Sequence, residues 1–193
     1  MGTRHLTCVV KDGEYKVAQY GQWDGYPSGQ GITILNFLKM MDKSKFEEKL
    51  SKIRFGKEEE LRQQWINCGA NPDDQWVTME ISEKHSQCYP ENSRDTGAEI
   101  LSIIYETDKE LILENNTEFA TDSLFCEWAY VIDLDKNTFE VYKGFNKKPL
   151  DPSERFYKYK TKKEYKPVNL LVSFSLKDLP DKEEFLIDIH RGD

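Results

Sequence analysis

The sequence has little of what marks several large protein classes. Its four cysteines, Cys8, Cys68, Cys88 and Cys126, form no CxxC pair, which argues against a zinc knuckle and against a compact disulfide scaffold. No apolar run approaches the roughly 18 to 20 residues of a membrane-spanning helix, and the N-terminus lacks the apolar core of a signal peptide. We therefore expect reduced thiols, no membrane contact and a cytoplasmic location.

Recognised catalytic and ligand-binding motifs are missing too. The chain contains no GxSxG, Walker, Rossmann glycine or HExxH pattern. Its three histidines, His5, His85 and His190, lie far apart in the sequence, so their spacing predicts no metal site. We expect the protein to bind neither a metal nor a cofactor.

Positive charge is scarce, with 27 basic against 35 acidic residues and a formal net charge of −8. Nucleic-acid-binding proteins normally carry a basic footprint, so we expect no general nucleic-acid binding. The local exception is the run RFYKYKTKKEYK at Arg155–Lys166. This run fits phosphate and base contacts through charge and stacking, and it fits equally an exposed edge strand or loop whose lysines prevent aggregation.

What the chain does have is one short segment dense in glycine and aromatic side chains, YGQWDGYPSGQG at Tyr20–Gly31. It contains four of the eleven glycines. Glycine lets a backbone approach a ligand closely, while Trp and Tyr supply rigid, partly polar contact surface. We predict that this segment is a recognition loop between the end of a strand and a helix that begins near Ile32.

Hydrophobic periodicity predicts strands at both ends of the chain and helices between them. One β-hairpin covers the first twenty residues with its turn at Asp12-Gly13, and a second covers Phe125–Phe145. Further strands are predicted at Leu111–Glu114 and Leu170–Phe174, and helical spacing occurs from Ile32, over residues 43–67, within Val77–Gln87 and at Asp95–Glu106.

The order of these elements predicts an α+β fold. Antiparallel sheets from the N- and C-terminal hairpins would pack against the central helical segment. With 193 residues the chain suits a single domain that spans residues 1–193.

The predicted binding residues belong to the loop, apart from Arg4 at the start of the first strand; they are Arg4, Gln22, Trp23, Asp24, Tyr26 and Gln30. Asp24 lies between an aromatic residue and a glycine, a setting that suits a general base or a ligand acceptor. An Asp before Gly also commonly accepts a backbone N–H within a turn. Both interpretations of Asp24 stay open at the sequence level.

A catalytic role would draw on Asp24, His5 and Tyr26. Histidine exchanges a proton near neutral pH, and the N-terminal hairpin would carry His5 close to the loop that leaves its other strand. A lone histidine is more often structural, and no nucleophile with an adjacent base is evident. The loop has no phosphate-binding lysine, although backbone amides at the Ile32 helix start suit an anion.

Three segments, MGTRHL, YKVAQYGQWDGYPSGQG and CEWAYVIDLDKNTFEVYKGF, together resemble a family of uncharacterised proteins of bacteriophages, prophages and some fungi. The resemblance covers both ends of the chain. It implies a phage or mobile-element accessory protein, and in such a setting proteins that bind and block a host defence component are expected.

A weaker similarity is to the N-terminal nucleophile hydrolase fold, in which the first strand carries the catalytic residue. This sequence departs from that pattern at the residue that matters most. Removal of Met1 would expose Gly2, which has no nucleophile, while Thr3 or Cys8 would become terminal only after further cleavage. The similarity without the nucleophile implies a binding protein.

Three hypotheses follow. The first is a phage-related cytoplasmic binding protein, for example an inhibitor of a host defence system, that engages a host protein or small ligand through Tyr20–Gly31. The second is a hydrolase or transferase that acts on a nucleotide-like or amide substrate. The third is a nucleotide-sequestering protein in which loop amides and the Arg155–Lys166 run meet phosphates. The sequence does not indicate an oligomeric state.

Overall fold

Seven strands and six α-helices make up the computed structural model, which describes residues 2–74, 76–159 and 164–192. The strands are β1 (His5–Lys11), β2 (Glu14–Gly21), β3 (Ile53–Phe55), β4 (Leu111–Leu113), β5 (Trp128–Asp133), β6 (Thr138–Lys143) and β7 (Asn169–Ser175). The helices are α1 (Ile32–Met40), α2 (Lys43–Leu50), α3 (Glu58–Asn67), α4 (Met79–Cys88), α5 (Ile100–Glu106) and α6 (Lys182–Gly192). The predicted α+β class is confirmed.

Both predicted hairpins are present, and they join into one five-stranded sheet of order β2-β1-β5-β6-β7. The first turn places Asp12 and Gly13 at φ of 56° and 74°, the left-handed conformation that a two-residue hairpin turn needs. Each hairpin is antiparallel, but β1 pairs with β5 in parallel, with Cys8 opposite Val131. The sheet is therefore mixed; β3 and β4 form a separate parallel pair.

The two faces of the sheet are covered differently. On β1, Val9 belongs to the apolar cluster under the helices, whereas Leu6, Cys8 and Val10 belong to the cluster on the opposite face. Because side chains alternate along a strand, His5 and Thr7 share the helical face with Val9. Helices α1, α2, α5 and α6 cover that face, and irregular segments that contribute Ala120, Leu150, Phe156 and Val168 cover the other.

The C-terminal helix α6 was not predicted, and His190, which the sequence placed in a tail, lies within it. Asp181 caps the helix, because its carboxylate accepts hydrogen bonds from the backbone N–H of Glu183 and Glu184 at 2.9 Å each. Phe185 and Ile189 then pack into the core at i, i+4 spacing. Among the described helices, none combines the length and the apolar character needed to cross a membrane.

Arg155, the first residue of the basic run, is part of the fold. Its guanidinium is bonded to Asp133 at 2.5 Å and to Glu140 at 2.8 Å on the face opposite the helices, and Phe156 beside it is fully buried. Residues 160–163 of the run lie outside the described residues. Arg155 is therefore not available to bind phosphate in a nucleotide-sequestering protein, because its guanidinium already binds two carboxylates.

Candidate functional site

The backbone of the recognition loop is fixed at three points. The N–H of Gln22 donates to the carbonyl of Arg94, that of Gly25 to Thr3, and that of Gln30 to Asp24, all within 3.0 Å. The last part of the loop, Pro27–Gly31, forms a π-helical turn that leads into α1 at Ile32. Bonds to neighbouring segments and a helical ending give the loop a defined shape.

Trp23 and Tyr26 nevertheless point outward, with 47% and 54% of their surface exposed. The indole of Trp23 lies against Gly2, where an added Cβ would come within 2.7 Å of Cζ3. Its Nε1–H donates to Asp95 Oδ1 at 2.7 Å. Trp23 is therefore held in place on one face and exposed on the rest, the arrangement of a preorganised contact residue.

Asp24 adopts a φ of 53°, in the left-handed region that Asp tolerates better than most residues. Its backbone carbonyl accepts the N–H of Gln30 at 3.0 Å. In the described part of the chain its exposed carboxylate makes no hydrogen bond. Of the two interpretations of Asp24, the one in which the side chain caps the turn is thus not realised, and the carboxylate faces solvent.

The two glutamines of the loop bind within the protein. Gln22 Oε1 accepts the hydroxyl of Tyr20 at 2.5 Å. Gln30 Oε1 accepts the N–H of Ala98 at 2.9 Å, and its Nε2 donates to the carbonyl of Trp23 at 3.4 Å. Gln30 thus connects the loop with the short turn Gly97–Glu99, a structural use of a residue that the sequence placed among the binding candidates.

His5 is fully buried under the helical face in a cage whose walls are glycines. A Cβ on Gly21 would overlap the imidazole Cε1 and lie 2.8 Å from Nδ1. One on Gly97 would lie 3.0 Å from Nε2, and one on Gly25 would lie 2.9 Å from the Cβ of His5. Neither ring nitrogen has a hydrogen-bond partner among the described residues. The three glycines leave the space that this side chain fills.

Burial lowers the pKa of His5 from 6.5 to about 4, and the Thr3 backbone offsets only part of the shift. The unfolded chain, with its ordinary pKa, binds the proton first, so His5 stabilises the fold above pH 6.5 and this contribution is lost as the pH falls toward 4. We expect the free energy of unfolding to decrease by about 2 kcal/mol between pH 7.5 and pH 5 from this residue.

Urea unfolding at both pH values, with NMR titration of the ring, measures this effect. Because burial also lowers the pKa of His85, His85→Gln serves as the background in which His5 is followed. An imidazole at position 5 that titrates near pH 6.5 in the folded protein would contradict the buried placement.

The three catalytic candidates are not brought together. Asp24 and Tyr26 are exposed while His5 is buried, and within the described ranges no hydrogen bond joins either one to His5. The residues that further cleavage would make terminal are buried as well: Thr3 is 5% exposed, and burial raises the pKa of the Cys8 thiol well above its usual range. The described residues likewise contain no metal-binding cluster of His, Cys, Asp and Glu.

Two aromatic side chains that the sequence did not single out lie at the same end of the sheet as the loop. Phe125 precedes β5 and is 43% exposed, and Phe145 follows β6 and is 51% exposed. The guanidinium carbon of Arg4 lies 4.6 Å from the centre of the Phe125 ring. The sequence could have indicated these two residues, because each is an aromatic residue just outside the end of a strand. We call Arg4, Trp23, Tyr26, Phe125 and Phe145 the sheet-end surface.

Two arginines near the loop have no ion-pair partner in the described part of the chain, Arg4 and Arg94. Arg4 Nε is a buried donor without an acceptor there. Burial raises the pKa of Tyr20 while the charges of Arg4 and Arg94 counteract that rise, so both guanidinium groups lie within electrostatic reach of one hydroxyl. The corner also holds the carboxylate of Glu127, whose Oε1 accepts the backbone N–H of Arg4 at 3.4 Å, so its charge is mixed.

An open groove of about 420 Å³ runs between the loop and α6. Its lining is mostly apolar and consists of Tyr26, Pro27, Ser28, Trp128, Leu186, Ile187, Ile189 and His190. The groove extends the apolar contact area of the sheet-end surface toward the C-terminal helix.

Comparisons of the chain with protein-family models, with curated proteins and with solved structures find no match.

Proposed function

We propose that this is a binding protein that engages another protein through the sheet-end surface. The observation that carries the proposal is the pairing of a fixed loop backbone with two half-exposed aromatic side chains, Trp23 and Tyr26. Interfaces draw most of their energy from a few Trp, Tyr and Arg residues, and rigid side chains lose little entropy on binding. The sheet-end surface offers all three residue types.

The shape of the site favours a protein partner over a small ligand. Small-molecule sites enclose most of their ligand, whereas Trp23 and Tyr26 project outward and the adjoining groove is open. The resemblance to phage and prophage proteins supports a host protein as this partner, in particular a defence component that binding would inhibit. The free carboxylate of Asp24 and the guanidinium of Arg4 supply charges for specificity.

Replacing Trp23 by alanine should weaken partner binding at least tenfold and lower the free energy of unfolding by no more than about 2 kcal/mol. The reason is that Trp23 is 47% exposed, so the variant loses only part of the burial of a tryptophan and one hydrogen bond, to Asp95. Pull-down from host lysate with quantitative mass spectrometry identifies the partner, and calorimetric titration of that partner then measures the affinity of each variant.

Met40→Ala provides a matched control, since Met40 is 80% exposed at the opposite end of α1. This variant should bind the partner as tightly as the wild-type protein does. Asp95→Ala should weaken binding because it releases the indole, whereas Asp95→Asn keeps an acceptor and should not. Unchanged binding by Trp23→Ala, or a large loss of stability in this variant, would contradict the proposal.

A nucleotide-like ligand is the second candidate, and the unpaired arginines favour it. Arg4 and Arg94 are suited to phosphate and Trp23 to a base, whereas Arg155 is not free. If heat denaturation of the purified protein releases an intact ligand, and the Arg94→Glu variant carries no such ligand, the protein sequesters a nucleotide-like molecule instead of binding a protein. The buried, isolated position of His5 gives the hydrolase or transferase hypothesis no support.

A further inference from the structure

The C-terminal ends of α3 and α4 pack side by side through matched pairs of side chains. The rings of Trp65 and His85 stack with their centres 3.7 Å apart and 4° between their planes. One helical turn further along each helix lie Cys68 and Cys88, close enough for Cys88 to raise the pKa of the Cys68 thiol. Beside them Asn67 Nδ2 donates to the Tyr89 hydroxyl at 3.2 Å. The stacked rings and the hydrogen bond hold the two cysteines in one register.

The two cysteines differ in accessibility. Cys88 is exposed and Cys68 is buried, and both are free thiols. Burial raises the pKa of Cys68, and the neighbouring Cys88 raises it further. Cys8 and Cys126 are fully buried on the far side of the sheet, where burial raises the pKa of each thiol strongly. Exposure therefore distinguishes Cys88 as the thiol that a dissolved oxidant reaches first.

We propose that Cys88 and Cys68 are a peroxide-responsive thiol pair, with Cys88 the reacting residue and Cys68 the resolving one. The Cys88 thiolate attacks a peroxide oxygen, the O–O bond breaks, and a sulfenic acid forms; the departing hydroxide takes up the proton that the Cys88 thiol had lost and leaves as water. The Cys68 thiolate then attacks that sulfur, so that an S–S bond forms and the S–O bond breaks; this second hydroxide takes up the proton of the Cys68 thiol and leaves as a second water. Two thiols and one hydrogen peroxide thus give one disulfide and two waters.

The disulfide would link the ends of α3 and α4 and close the segment between them. That segment carries Trp76 and Met79, 85% and 80% exposed. Closing a segment of this kind restricts its freedom in the unfolded chain more than in the fold, where the two ends already meet. The contact between α3 and α4 in the reduced protein thus favours the disulfide.

The experiment treats the folded, reduced protein with a small excess of hydrogen peroxide and maps the products by mass spectrometry. We expect a loss of two hydrogens, a peptide that joins Cys68 to Cys88, and oxidation at least tenfold slower at Cys8 and Cys126. Cys68→Ser should leave a sulfenic acid on Cys88 that dimedone traps, and Cys88→Ser should form no disulfide.

Three results would overturn the proposal: Cys88 stays unmodified, the linked peptide joins other cysteines, or Cys88 couples only between molecules. Circular dichroism of the two serine variants verifies that they are folded. Because the readout is chemical, its outcome is independent of whether the sheet-end surface binds a partner.

Discussion

Replacing Arg155 by methionine should lower the free energy of unfolding by about 3 to 5 kcal/mol. Arg155 bonds Asp133 through Nη2 at 2.5 Å and Glu140 through Nε at 2.8 Å and Nη2 at 2.9 Å. The side chains of Asp133 and Glu140 are only 3% and 8% exposed. Methionine fills a similar volume but leaves Glu140 without its counter-charge and Asp133 with only the exposed Lys136 at 4.0 Å, which is the costly half of breaking a buried ion pair.

The pKa of Glu140 depends on two opposing effects, burial and hydrogen bonding. Burial alone would raise its pKa, but hydrogen bonds from Arg155 and Tyr142 outweigh burial and hold it below the usual value. In the folded protein Glu140 is thus stabilised as a carboxylate above its unfolded pKa, and that stabilisation is lost as the pH falls. In Arg155→Met burial would raise the pKa instead, so the variant should lose less stability relative to wild type at pH 4 than at pH 7.

Arg54→Met is the matched control, and urea unfolding at pH 7 is the measurement. Arg54 also bonds two carboxylates, Glu60 at 2.7 Å and Glu110 at 2.9 Å, but its side chain is 44% exposed. Solvent screens that network, so its loss should cost much less stability than the loss of Arg155. Equal losses in the two variants would show that burial of the Arg155 cluster does not determine its contribution.

Local patterns in the sequence were sufficient for most strands and helices, because each depends on neighbouring residues, but the prediction was wrong at β3, which lies within residues 43–67 that were expected to be helical. Asp12-Gly13 specifies a hairpin turn by itself, and Ile34, Leu35 and Leu38 mark the buried side of α1. The parallel pairing of β1 with β5 joins residues more than one hundred positions apart. Both strands are buried on both faces, so nothing in their alternation reveals which strand lies beside which.

Which residues of the site could be predicted from the sequence also depended on whether their positions are set by long-range contacts. Trp23, Asp24 and Tyr26 are exposed on a bounded loop, as a glycine-rich segment with aromatic residues suggests. His5 is different, because its burial depends on Gly97, which arrives from a distant segment. The half-exposed Phe125 and Phe145 flank strands, and only the folded sheet places them at the end occupied by the loop.

The glycine cage around His5 gives the second large effect: Gly21→Ala should destabilise the protein by about 3 kcal/mol. Gly21 pairs directly with His5 across β1 and β2, and a methyl group there would overlap the imidazole. The fully buried ring has little room to shift, because Gly97 also borders it: a Cβ on Gly97 would lie 3.0 Å from Nε2 and 3.1 Å from Cε1. The loss should therefore reach the upper end of what overpacking in a core costs.

Removal of the imidazole tests this cause directly. His5→Ala alone should be destabilising because it leaves a cavity, but in the His5→Ala background Gly21→Ala should cost less than about 1 kcal/mol. Gly192→Ala is a control in which the added Cβ meets only Leu171, at 3.2 Å or more, and should be close to neutral. If Gly21→Ala costs the same with and without the imidazole, glycine at position 21 is required by the backbone and not by His5. Rescue would instead establish that position 21 requires glycine because the buried imidazole of His5 fills the space that a side chain would occupy.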